Sequence, residues 1–427
     1  MAQEVIVYIR DVTVWGEGVG SHEGLTIFVE KALPGEKVLV RIIEKKPSYA
    51  KAKLLEILEK SEARVDPICP LFGKCGGCQI MHLKYQEQIE LKTKRVKDAF
   101  ERIGKLKNFG LYPCKPSPNP LYYRNKMQMP VDNNLKLGLY AKRSHQIVPV
   151  ETCYIQSEST DQILKKITLV EGIRHVLVRS NRKGEILIVL VTREKPTLLI
   201  KKLAEEISFL KGVKGVLHGL NARDDNVLYS DAYTLLFGER HLEERVLDVC
   251  VKISPASFFQ VNIEQAEHLY EKAFELADLK PGDKVLDAYS GIGVFSSYLA
   301  KRGIEVTGIE VVEPAVEDAK MNAKMNGVEI DFRLGRVEDL ISSLDHLDVI
   351  FLNPPRKGCE ESVLQAAINK KPKKIIYTSC DPATLARDLS FFANQGYLKI
   401  EAYPFDMFPQ TMHVETVVKI EKGVSES

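Results

Sequence analysis

Over residues 1 to 62, apolar and polar side chains alternate in short runs: Val5-Ile6-Val7-Tyr8-Ile9, Leu25-Thr26-Ile27-Phe28-Val29 and Lys37-Val38-Leu39-Val40-Arg41-Ile42-Ile43. Gly16, Gly18, Gly20 and Pro34-Gly35 separate them. A period of two marks half-buried strands, and short strands punctuated by glycine predict a small OB-like β-barrel. From Tyr85 to Leu106 the apolar residues recur at helical spacing, with Lys92, Lys94, Arg95 and Lys97 on other faces, predicting an exposed basic helix. Tyr122-Tyr123-Arg124-Asn125-Lys126 then leads into strands through residue 150, and residues 175 to 237 read as a mixed, β-rich stretch. Later the pattern becomes strand, glycine turn and helix start at Val285-Leu286-Asp287-Ala288-Tyr289-Ser290-Gly291-Ile292-Gly293-Val294-Phe295, which is α/β in kind. Buried strands follow at Val306–Ile309, Asp348–Leu352 and Ile375–Ser379, and the alternating run Thr416-Val417-Val418-Lys419-Ile420 closes the series.

A chain of 427 residues exceeds what one core sustains, so two or three domains are expected. No long apolar run occurs, and Met-Ala-Gln-Glu-Val-Ile-Val lacks the basic and hydrophobic parts of a secretory signal. A cytoplasmic protein without membrane contact, and a monomer, is the expectation. The net charge of +2 hides an asymmetry: residues 1 to 245 carry an excess of ten cations and the remainder an excess of eight anions. A basic front half joined to an acidic back half suggests that polyanion recruitment and catalysis are divided between domains.

The candidate chemistry sits in the back half. Cys380 ends a buried strand and Asp381-Pro382-Ala383-Thr384 opens a helix, so the thiol should project from the carboxyl edge of the sheet. There a helix amino terminus would favour the thiolate. Upstream, the glycine turn lets backbone pass close to a ligand, and Glu310, nineteen positions after Gly291, can accept hydrogen bonds from ribose hydroxyls. Ser296 stands where a dinucleotide fingerprint has its third glycine, so adenosylmethionine fits better than NAD. Asn353-Pro354-Pro355-Arg356 is a rigid turn suited to a planar base, and Arg356 in place of an aromatic residue argues against an amino-group methyltransferase. In a doubly wound methyltransferase sheet the last strand is antiparallel and lies beside the one carrying Cys380, so Glu415 and Cys380 can face one substrate. A thiolate beside a carboxylate suits methylation of an unactivated pyrimidine carbon. Cys380 would add to carbon 6, and Glu415 would remove the proton from carbon 5.

A second group of thiols lies in the front half. Cys69, Cys75 and Cys78 fall within ten residues, separated by glycines, and structural disulfides are disfavoured in a cytosolic setting, which leaves a metal or cluster site. Zinc would also accept four thiolates.

Phe259-Gln260-Val261-Asn262, Asp-Ala-Tyr-Ser-Gly-Ile-Gly at 287–293, Asn353-Pro354-Pro355-Arg356, the block from Thr378 to Leu389 and His413-Val414-Glu415 occur in the order of the RNA uridine-5-methyltransferase family. The chain resembles that family over essentially its whole length. The resemblance implies Cys380 as nucleophile and Glu415 as base, with Gln260, Tyr289, Glu310 and Asn353 in the S-adenosyl-L-methionine and base pocket. It implies a Rossmann-like class I methyltransferase domain at 246–427 and a TRAM barrel at 1–62. A mixed α+β central domain, at 63–245, would hold a 4Fe-4S cluster on Cys69, Cys75, Cys78 and Cys153. The Tyr-Arg-Asn-Lys segment resembles one that lies near bound RNA in the family, while Cys114, Cys250 and Cys359 match no ligand position and are expected to pack. Asn353 departs from the family's usual Asp, keeping a hydrogen-bonding shape and losing a charge. Ribosomal RNA, 23S in particular, is the expected partner, because the barrel and the cysteines resemble that branch. Transfer RNA is the alternative, and a non-catalytic RNA-binding or folding protein is the alternative of another class.

Overall fold

Alternation in the first segment closes into a ring. The computed structural model describes residues 3–223, 232–255 and 257–423. Strands β1 (Glu4–Val12), β2 (Glu17–His22), β3 (Leu25–Glu30), β4 (Lys37–Lys45) and β5 (Tyr49–Glu59) form a closed barrel in the order β1-β2-β3-β5-β4. Its interior is built from the inward set of each strand, including Val5, Val7, Ile9, Ile27, Val29, Val38 and Val40. The barrel's lysines are partly neutralised, since Glu44 pairs with both Lys46 and Lys51. Tyr49 packs its ring 5.6 Å from that of Phe28.

Next come helix α1 (Tyr85–Arg102) and strands β6 (Gly110–Leu111), β7 (Lys126–Pro130), β8 (Gly138–Tyr140) and β9 (Ile147–Pro149). Helix α2 (Glu158–Leu164), β10 (Ile173–Ser180), β11 (Ile186–Thr192), α3 (Leu198–Ser208), β12 (Val213–Leu220) and β13 (Ala232–Gly238) complete the middle of the chain. One sheet runs β13-β12-β11-β10-β7, and every residue of β11 is buried because both faces are covered. A two-stranded ribbon, β14 (Leu242–Val246) with β15 (Val249–Ile253), leads into the last unit.

That unit contains α4 (Ile263–Ala277), β16 (Lys284–Ala288), α5 (Val294–Ala300), β17 (Glu305–Glu310), α6 (Glu313–Met325), β18 (Asp331–Leu334), α7 (Val337–Leu340) and β19 (Val349–Leu352). It finishes with α8 (Glu361–Asn369), β20 (Lys374–Ser379), α9 (Pro382–Asn394), β21 (Lys399–Phe405) and β22 (Glu415–Glu421). The eight-stranded sheet runs β18-β17-β16-β19-β20-β22-β21-β6. The first five strands are parallel, and β22 inserts antiparallel between β20 and β21. Strand alternation divides the core into two layers: Leu286, Ile350 and Ile375 face one side, and Val285, Phe351 and Ile376 the other. Rossmann-like α/β topology, an amino-terminal barrel and a mixed middle region are therefore all present.

Two placements differ from expectation. Helix α1 and β6 do not stand apart from the last unit: β6 pairs with β21, and Ile89, Val96, Ala99 and Phe100 pack into the core beside Leu385, Leu389 and Phe392 of α9. Nor is α1 wholly an exposed basic helix, because Lys92 is fully buried and paired with Asp406. Lys92 shares the stripe of Ile89, Val96 and Ala99, and that face turns toward the sheet. Among the described residues, no helix is long and apolar enough to cross a membrane.

Candidate active site

Strands β20 and β22 are aligned with Ile375 opposite Ile420 and Ser379 opposite Thr416. One step further in that register sets Cys380 against Glu415 at the carboxyl edge of the sheet, with cross-strand Cα atoms about 5 Å apart. On its other side Glu415 pairs with Phe405 of β21. Its carboxyl is buried, 4% exposed, and burial pushes its pKa up to about 8, with Arg356 opposing the rise. Cys380 is half-buried, and its thiol is pushed up to about 11, first by burial and then by the charge of Glu415, while Arg356 pulls it down.

The helix amino terminus does not make Cys380 a resting thiolate, contrary to the sequence expectation. Asp381 occupies the N-cap of α9 and its Oδ1 accepts from Ala383 N at 2.8 Å and Thr384 N at 3.1 Å. The free N–H groups that would have favoured a thiolate are spent on a carboxylate, whose own charge raises the thiol further.

Beside this edge lies a cleft lined by Gln260, Tyr289, Gly291, Phe351, Asn353 and Thr378, which brings three of the four expected cofactor and base residues together. Glu310 is not in that lining. Its Oε2 accepts from Gly291 N at 3.0 Å, and its Oε1 from Val311 N and Val312 N at 2.8 and 2.9 Å. It thereby clamps the glycine turn and keeps its remaining lone pairs for a ligand at the rim. The turn needs its glycines for different reasons. Gly291 (φ 55°) has open space where a Cβ would be, whereas at Gly293 (φ 73°) a Cβ would lie 2.7 Å from Phe332 Cζ. Tyr289 is also left-handed at φ 67°, and its hydroxyl lies 3.9 Å from Cys359 Sγ. Ser296 donates to Asp287 Oδ2 at 2.5 Å, which explains a hydroxyl at that position; burial raises the Asp287 carboxyl to about 6.

The other thiols also assemble. Cys69, Cys75, Cys78 and Cys153 line one mostly apolar pocket with Leu71, Phe72, Met81 and Ile155. All four are free. Burial raises the thiols of Cys75, Cys78 and Cys153, and their neighbouring sulfurs raise them further. Among the described residues, no three His, Cys, Asp or Glu side chains converge tightly enough to hold a single metal ion. Of the remaining cysteines Cys114 and Cys359 are buried as expected, but Cys250 is exposed, because its side of β15 faces outward.

Comparison with known proteins is decisive for the family. Residues 84–423 match the family described as tRNA (Uracil-5-)-methyltransferase, and residues 2–55 match the TRAM domain. The chain belongs to this family. An uncharacterized RNA methyltransferase of Clostridium acetobutylicum is 40% identical, the alignment covering 97% of this chain and 96% of the relative. One of Caldanaerobacter subterraneus is 39% identical, with 95% of each covered. Among solved structures, the Pyrococcus abyssi tRNA (uracil-54, C5)-methyltransferase in complex with S-adenosyl-L-homocysteine superposes with a TM-score of 0.78 at 27% identity, covering 97% of this chain and 100% of the other. The protein is an adenosylmethionine-dependent RNA (uracil-5-)-methyltransferase, and the reading as a non-catalytic scaffold falls.

The methyltransferase site is braced from the front half of the chain by residues whose role the sequence hid. Asn125 Nδ2 donates to Gln260 O at 2.9 Å, and Tyr123 Oη donates to Pro409 O at 3.1 Å. The Tyr-Arg-Asn-Lys segment thus reaches inward: Asn125 and Lys126 are buried, and burial pushes Lys126 down to about 6. Asp406, Lys92 and Tyr85 form a buried cluster in which Tyr85 Oη donates to Asp406 Oδ2 at 2.8 Å. That cluster fixes the start of the 406–414 loop, which delivers Glu415. Arg95, next along α1, donates to Met412 O within the same loop. One signal was available: a lysine on an apolar helix stripe implies a buried countercharge.

Proposed function

We propose that this methyltransferase modifies carbon 5 of a uridine by covalent catalysis, with Cys380 as nucleophile and Glu415 as base. The observation that carries the reading is the register placing these two residues opposite each other beside the cleft of Gln260, Tyr289 and Asn353. That cleft, with Glu310 at its rim, fits adenosylmethionine, which supplies an electrophilic methyl group on a sulfonium. Cys380 gives up its proton to solvent water and its sulfur bonds to carbon 6, moving the 5,6 π electrons onto carbon 5 and its conjugated carbonyl. Once carbon 5 carries the methyl group, Glu415 takes the remaining proton there. The released electrons restore the 5,6 double bond, and the carbon–sulfur bond breaks to return the thiolate. A carboxyl pushed up to about 8 is suited to this, since a base works best with a pKa near the working pH. Asn353 offers the base edge both a donor and an acceptor. RNA containing 5-fluorouridine should trap the wild-type protein as a covalent adduct stable to denaturant. Intact wild type giving no adduct would remove the nucleophile assignment.

Ribosomal RNA remains the proposed target, on the combination of barrel and four-cysteine pocket. Transfer RNA is a second reading with its own support, because the Pyrococcus abyssi enzyme, named for tRNA uracil-54, is matched over its full length. Mass-spectrometric mapping of 5-methyluridine in both RNAs from a strain lacking the protein separates the two.

For the pocket of Cys69, Cys75, Cys78 and Cys153 the proposal is a structural 4Fe-4S cluster. Four soft donors line one pocket, with burial opposing an uncompensated thiolate at Cys75, Cys78 and Cys153, and a polynuclear cation would supply the missing charge. Iron and acid-labile sulfide in anaerobically purified protein test it; a colourless protein with one zinc would refute it.

A further inference from the structure

Two guanidinium groups, Arg95 and Arg356, lie within electrostatic reach of the Cys380 thiol, and neither carries a proton or a bond in the uridine mechanism. Arg95 reaches it from α1, half-buried and tethered through its donation to Met412 O. Its electrostatic neighbours are Asp381, Arg356 and Cys380. Arg356 follows the proline pair and is exposed, and its own carbonyl accepts from Thr384 Oγ1 at 3.1 Å, which ties its backbone to the helix that begins after Cys380. Among the described residues no hydrogen bond or ion pair engages the Arg356 guanidinium.

Like charges held near each other are costly unless an anion joins them. The carboxylates at hand do not balance this pair. Asp381 spends one oxygen on the helix cap, and Glu415 is largely uncharged at neutral pH. His413 beside them is held neutral, its pKa lowered to about 4 by burial and by the two arginines, and Lys92 is spent on Asp406. A planar guanidinium fork matches the oxygens of a phosphate. A uridine turned out of its strand to reach Cys380 necessarily brings its flanking phosphodiesters to this rim.

We propose that Arg95 and Arg356 together seat a phosphodiester flanking the target uridine, so that the backbone is gripped at the mouth while the base enters. The inference rests on the uridine reading of the site. Arg95 is the tethered jaw, held by the loop that delivers Glu415; Arg356 is the exposed one.

The test uses the full-length protein with R95Q, R356Q and R356K, and RNA in which the phosphate on either side of the target is replaced in turn by an uncharged methylphosphonate. Each Gln variant should raise KM for RNA by about 10- to 100-fold, the loss lying in KM rather than kcat for R356Q, and lower the log–log salt slope of RNA binding by about one. R356K should recover part of the loss as a point charge. One methylphosphonate should cost the wild type as much as R356Q does and cost R356Q little more. Unchanged KM and salt slope in folded variants would overturn the inference, as would additive losses from variant and methylphosphonate. So would a loss confined to kcat with an upward shift in the alkaline profile of Cys380 alkylation, which would assign Arg356 to the thiolate instead. Melting curves exclude misfolding. Adduct formation by wild type on 5-fluorouridine RNA keeps the two levels separate: no adduct defeats the uridine reading, whereas an adduct with unchanged R356Q binding defeats only the phosphate seat.

Discussion

Cys380 stands alone at the sheet edge while Cys69, Cys75, Cys78 and Cys153 share a pocket, and burial raises thiol pKa values at both places, yet their surroundings differ in kind. Cys380 has a titratable carboxyl opposite it and a guanidinium within electrostatic reach, so its charge can appear and vanish within a catalytic cycle. Cys75, Cys78 and Cys153 are raised by burial and then by neighbouring sulfurs, with Arg124 giving Cys78 and Cys153 some relief. A site for a transient thiolate needs an adjustable partner, whereas thiols that mainly repel each other need a permanent one. Sequence spacing suggested two roles, and the two proposed roles call for this difference in surroundings.

The sharpest break of this comparison removes one sulfur from each site. Cys380→Ala should abolish the fluorouridine adduct and lower turnover by about 10³- to 10⁶-fold, as when a covalent nucleophile is deleted, while the melting temperature stays near wild type. Turnover near the wild-type rate would end the distinction. Cys78→Ser should act in the opposite sense. It should strip iron or other metal and cost upwards of about 4 kcal/mol of stability in denaturant titrations, while protein that stays folded still forms the adduct. A Cys78→Ser protein with wild-type stability and wild-type metal content would show that Cys78 is not a ligand.

Glu415→Gln is milder and reads both chemistry and stability. Without a base the reaction should stall after carbon–sulfur bond formation, with turnover reduced about 10²- to 10⁴-fold and covalent complex accumulating on ordinary RNA. Stability should move the other way. The folded pKa, about 8, lies above the ordinary 4.5, so the carboxyl's contribution is full below 4.5 and is lost as pH rises through 8. The variant should therefore melt above wild type at pH of about 8.5, and the gap should shrink near pH 5. A gap that is equal at both pH values would mean that Glu415 is ionised in the folded protein throughout.

Much of this was legible because local pattern and tertiary role agree. The barrel follows from period-two alternation, and the insertion of β22 beside β20 follows from a terminal alternating strand in a doubly wound sheet. What stayed hidden depends on partners distant in sequence. Lys92 meets Asp406, 314 positions away, and Asn125 meets the backbone of Gln260, 135 positions away. No local pattern encodes such pairs, so a buried lysine read as surface charge and a bracing asparagine as part of an RNA-facing segment. The thiol of Cys380 was misjudged for the same reason at shorter range: the helix dipole was counted, but the Asp381 cap that consumes it was not.

That cap gives the smallest and most discriminating measurement. Asn is as good an N-cap as Asp, so Asp381→Asn should leave α9 and overall stability nearly unchanged while removing a negative charge beside the thiol. Alkylation of Cys380 without RNA, followed as rate against pH from about 7 to 9.5, should then shift to lower pH by a few tenths of a unit. Glu415→Gln should shift the same profile further, because the charge of Glu415 weighs more heavily on the thiol than that of Asp381. The order of the two shifts matters more than their size. A larger effect from Asp381→Asn would make the helix end the dominant control on the Cys380 thiol, and the opposed carboxyl would then no longer distinguish the proposed nucleophile from the thiols of the proposed cluster pocket.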